Sequence, residues 1–63
     1  MNEMQNGELI QINVEEFSRI QGYMQLAEKE SAVYKAMKTR YIELKVILTA
    51  LSVNLTELDT IKE

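Results

Sequence analysis

Tyr34, Met37, Tyr41, Leu44, Leu48, Leu51, Leu55 and Leu58 alternate spacings of three and four without a miss. That period belongs to one side of an α-helix and, held for more than three heptads, to a helix that packs along a seam. A second set, Ile42, Val46, Ala50 and Val53, gathers on nearly the opposite side at about 100° per residue, with Ala32 beside it. A helix apolar on two opposed sides is ordinarily buried between layers. Leaving Ile42, Val46 and Val53 in water forgoes roughly 1.5–3 kcal/mol for each.

The chain has 63 residues and therefore one small domain, residues 1–63. A chain of this length buries only about 60% of its unfolded surface and ordinarily needs a disulfide, a metal or a partner. With no cysteine and no histidine, disulfides and the usual zinc ligands are both excluded, and association is the remedy left. The sequence thus predicts an all-α fold: one long helix or a two-helix hairpin, with a short C-terminal helix and an apolar N-terminal arm. The whole would assemble as an oligomeric helical bundle or coiled coil, a homodimer or homotetramer. The eight-residue seam is its candidate oligomer interface, and Ile42, Val46, Ala50 and Val53 are its second apolar face.

Residues 1–12 read as the arm, with polar "MNEMQNGE" and its Asn-Gly turn signal ahead of Leu9, Ile10 and Ile12. Asn13 and Glu16 stand at capping-box spacing, and Ile12 and Phe17 at the positions of a hydrophobic staple. These signals start the main helical region at residue 13 and carry it to 51. Within it Phe17, Ile20, Met24, Ala27 and Ser31 form a first row, out of phase with the seam by a stammer between Ser31 and Met37. The good helix formers of "EKES", residues 28–31, favour a continuous helix. A bend there, with Ser31 capping a new helix, is the close alternative. Gly22 marks either a close approach or a kink. Ser52, Val53 and Asn54 are weak helix formers in a row, so a short last helix is placed at 55–62.

Chemistry finds little footing. No His or Cys offers a base or a nucleophile, no phosphate-cradling glycine loop is present, and the acids lie singly or in pairs. No catalytic, cofactor-binding or metal-ligating residue is therefore assigned, and no enzyme is expected. The formal charge of −3 disfavours nucleic acid as a partner. A locally basic stretch nevertheless makes Lys35, Lys38 and Lys45 a candidate nucleic-acid contact and a small DNA-binding regulator the alternative function. No apolar run approaches the roughly 20 residues of a membrane span, and "MNEMQNGELI" has acids where a signal peptide has bases. The expected setting is the cytoplasm. The expected function is a non-enzymatic interaction or regulatory module, binding itself and another protein through an apolar helical surface.

Two short stretches resemble known families. "LTALSVNLTEL", 48–58, is similar to the closing helices of phage-repressor helix-turn-helix domains, although no recognition helix can be recovered between Leu26 and Leu48. "ELDTI", 57–61, resembles the Glu-Leu-Asp motif of the small phosphatases of sporulation regulators, two-helix hairpins that carry it on the second helix. The Arg- and Gly-containing elements of that family are missing ahead of Glu57, Leu58 and Asp59. Neither resemblance assigns a site here.

Overall fold

The computed structural model describes residues 6–63 and is an all-helical hairpin: α1, Asn6–Leu26, packs against α2, Ala32–Ala50. The reversal falls at "EKES". Ser31 adopts an extended backbone (φ −77°, ψ 156°), and its hydroxyl oxygen accepts from the Tyr34 N–H at 3.0 Å, satisfying one orphan donor of the new helix. The Ser31 hydroxyl itself donates to the Glu28 carbonyl at 2.7 Å, which fastens the cap to the loop. The stammer between the two apolar rows is therefore a chain reversal, and the continuous helix is corrected to two.

α1 begins two turns before Asn13. Asn13 lies inside the helix, its side-chain amide donating to the Leu9 carbonyl at 2.9 Å, so it caps nothing. Residues 6–12 of the predicted arm are helical, and its first five residues lie outside the described range. Once a helix is nucleated, each added residue gains a hydrogen bond at little cost, and half-buried Leu9 and Ile10 give the extension apolar contact. Gly22 has no atom within 4 Å of where a Cβ would stand, so it serves no close approach.

The core joins Phe17 and Met24 of α1 to Tyr34, Tyr41, Leu44 and Leu48 of α2. The rings of Phe17 and Tyr41 stack with centroids 5.5 Å apart. The seam is thus filled by this chain's own residues. Tyr34, Tyr41, Leu44 and Leu48 are buried, Met37, Leu55 and Leu58 pack on them half-buried, and Leu51 is half-buried at the helix end. The eight residues predicted to form an oligomer interface are covered within this one chain to that extent, with the third side of the seam closed by the C-terminal segment.

That segment leaves α2 through a left-handed residue. Ser52 has φ 66°, the Val53 N–H donates to the Leu48 carbonyl and the Ser52 N–H to the Thr49 carbonyl, both at 2.9 Å. This is a Schellman stop, normally built on glycine. Residues 53–63 then run back as a strap with one turn at 56–58 in place of the predicted helix at 55–62. Two side chains divert the backbone from helix. Asn54 Oδ1 accepts from the Thr56 N–H at 2.9 Å, and Asp59 Oδ1 accepts from the Lys62 N–H at 2.8 Å. Val53, Leu55, Leu58 and Ile61 of the strap pack on the core. No helix among the described residues is long and apolar enough to cross a membrane.

Candidate functional site

The polar chemistry of the molecule is concentrated where the strap meets the helices. Gln21, only 3% exposed, holds the strap's main chain with both ends of its carboxamide. Its Nε2 donates to the Leu58 carbonyl at 2.9 Å and, more weakly, to the Phe17 carbonyl of its own helix at 3.3 Å. Its Oε1 accepts from the Thr60 N–H at 2.6 Å, the Ile61 N–H at 3.0 Å and the Thr60 hydroxyl at 3.0 Å. The spacing 10, 13, 17, 21, 24 along α1 places Gln21 on the core side, as it places Asn13. Apolar patterning alone passes over both because they are polar.

Tyr41 holds the next stretch. Its hydroxyl donates to Asp59 Oδ1 at 2.6 Å and accepts from the Glu63 N–H at 3.0 Å. Lys45 Nζ reaches Asp59 Oδ2 at 3.0 Å and the Glu63 carbonyl at 3.0 Å, and lies 5.0 Å from the centre of the Tyr41 ring. The Glu63 carboxylate pairs with Lys38 at 2.8 Å and Lys29 at 3.4 Å, and accepts from the Tyr34 hydroxyl at 3.3 Å. On the hairpin itself, Arg40 binds Glu16 through Nε at 2.9 Å and Nη2 at 3.1 Å, and Glu43 through Nη1 at 3.1 Å.

The protonation states follow from these contacts. Burial, then the Asp59 carboxylate, pushes the Tyr41 hydroxyl up from its ordinary value. Burial pulls the Asp59 carboxyl upward, but the Tyr41 hydroxyl, the Lys62 N–H and Lys45 together hold it below the usual carboxylate range. The Asp59 hydrogen bond raises Lys45, and Glu63 raises Lys38. Lys38 in turn lowers Glu63, and Arg40 lowers Glu16. The cluster is a clamp.

Compared with protein-family models, curated proteins and solved structures, the chain finds no match. Function has to be read from its own surfaces.

Those surfaces redistribute the predicted residues. Lys38 and Lys45 are spent on the strap, and Lys35 remains exposed on α2. Of the second apolar face, Val53 turns inward onto the core, while Ile42 is 46% exposed, Val46 65%, and Ala50 is exposed. Ile42, Val46, Thr49 and Ala50, edged by Lys45 and Glu63, line a shallow apolar depression on the outside of α2. Glu57, Leu58 and Asp59 lie on the strap, not on a second helix as in the phosphatases they resemble. Among the described residues every buried side-chain nitrogen and oxygen is hydrogen-bonded, and no group of three acids is placed to hold a metal ion.

Proposed function

We propose that this chain is a non-enzymatic helical interaction module of the cytoplasm whose working surface is the outer strip of α2, and that its partner there is a second copy. The observation that carries the reading is the exposure of Ile42 and Val46 on a helix whose opposite side is fully used by its own chain. Ile42, Val46 and Ala50 are spaced four apart and form one straight ridge. In an antiparallel pair about a two-fold axis at Val46, Ile42 of each copy falls opposite Ala50 of the other. Large meets small, and the Val46 side chains meet at the axis. The closed core makes such pairing optional for folding. A strip this narrow falls short of the roughly 800 Å² per partner of a stable complex, so the dimer is weak, with a Kd of about micromolar or above.

Sedimentation equilibrium tests this. Wild type should move from monomer to dimer between about 10 μM and 1 mM, a span suited to that affinity. Val46→Asp should stay monomeric with an unchanged helical circular dichroism spectrum. A wild-type chain still monomeric at the upper concentration refutes the reading. The second-copy reading is preferred to the alternative DNA-binding face because two of that face's three lysines, Lys38 and Lys45, pair with carboxylates of the strap.

A further inference from the structure

The strap lies against the hairpin as a peptide lies in a receptor. Its main chain is read at residues 58–61 by Gln21, which offers a donor and an acceptor together and so suits an extended segment of many sequences, and at residue 63 by Tyr41 and Lys45. Specificity comes from two other features. Leu58 and Ile61 pack on the core on either side of Asp59, and the Asp59 carboxylate is read by the Tyr41 hydroxyl and the Lys45 ammonium. Farther along, Lys38 and Lys29 receive a second carboxylate, that of Glu63. Five basic or hydroxylic groups of the hairpin, Tyr34, Lys38, Tyr41 and Lys45 on α2 and Lys29 in the loop, thus face two carboxylates on the strap, while the hairpin contributes no acid to these contacts.

We infer that the groove between α1 and α2 is a binding site for an extended acidic peptide of a partner protein, one presenting Leu-Asp-x-Ile-x-Glu, and that residues 53–63 occupy it in cis as a competitor. The junction suits release. The strap is joined to α2 only through Ser52, a non-glycine residue in the left-handed region, a conformation that disfavours the closed form. A tethered segment competes at an effective concentration of about millimolar, so a foreign peptide gains access when the cis contacts weaken.

The probe is a labelled synthetic peptide of residues 53–63, followed by fluorescence anisotropy against the full chain. Asp59→Ala in the chain weakens the strap and leaves the groove intact, so it should bind the peptide about tenfold tighter than wild type does, the scale of one lost charged hydrogen bond. Adding Gln21→Met to that chain should abolish the gain, and a peptide with Ala for its Asp should bind no variant. A folded Asp59→Ala chain that binds no tighter than wild type overturns the inference.

Hydrogen exchange on wild type decides the matter independently, should Asp59→Ala unfold. The Thr60, Ile61 and Glu63 amides should exchange at least about tenfold faster than Leu44 and Leu48, through local opening. Equal protection would make the strap inseparable from the core and refute the site. Val46→Asp separates this surface from the α2 strip, because it should leave peptide binding unchanged. If that variant still dimerises and the peptide breaks the dimer, the groove is held by a neighbouring copy's tail, and the foreign peptide is excluded.

Discussion

Gln21→Met removes the strap's main fastening while keeping an unbranched side chain of similar volume. The substitution deletes five hydrogen bonds, three of them to strap main chain: the Leu58 carbonyl and the Thr60 and Ile61 N–H groups. A typical hydrogen bond is worth about 0.5–1.5 kcal/mol net, and a group left unpaired and dry costs more. Water can reach exposed Thr60 once the strap loosens, which offsets part of that cost. The three main-chain bonds together give an expected loss of about 2–4 kcal/mol. A chain of this length has roughly 3–9 kcal/mol in all, so the variant is left with little. At about 4–8 °C per kcal/mol, the melting temperature should fall by roughly 8–32 °C. Thermal and urea melts followed by circular dichroism measure this directly. A fall of less than about 3 °C, under 1 kcal/mol on the same scale, would show that the strap is held by its apolar residues and by Tyr41, Lys45 and Lys38, and the role given to Gln21 would be refuted.

Gly22→Ala should stabilise the protein by about 0.5–1 kcal/mol, because the added methyl meets nothing and the position is inside a helix; a destabilised variant in urea melts would contradict that placement. The pH dependence has a defined sign. Asp59, Glu16 and Glu63 are lowered in the folded state, so their contribution is present above the ordinary carboxylate pKa of about 4 and is lost as pH falls through the lowered values. Tyr41, Lys45 and Lys38 are raised, so theirs is present below about pH 10 and is lost as pH rises through the raised values. A melting temperature level between these limits and falling outside them is expected, and Asp59→Asn should soften the acid fall. An acid limb identical in wild type and Asp59→Asn would remove Asp59 from the account.

Much of the hairpin is legible in the sequence because it rests on period and capping. Tyr34, Tyr41, Leu44 and Leu48 are core because they share one side of α2, and Ser31 can cap because its hydroxyl stands three residues before the Tyr34 N–H. What period cannot convey is which segment fills a seam. Leu55 and Leu58 continue the heptad phase, yet they meet the core from a strap that has already left the helix at Ser52. The clamp is illegible for a related reason. Gln21, Tyr41 and Asp59 act across 18 to 40 residues of sequence, and side-chain contacts at such separations leave no local signature. Asn13 misleads in the opposite way, since a side chain able to cap can equally bond back one turn inside a longer helix.

The Gln21 carboxamide has a consequence for how such a fold can change over time. In helices and sheets the main chain supplies its own partners, so one substitution seldom unties several peptide groups at once. Here one side chain holds three peptide groups of the strap at a single point. A lineage that altered its codon would strip three contacts from the strap in one step and leave Tyr41, Lys45 and the strap's apolar residues to hold it.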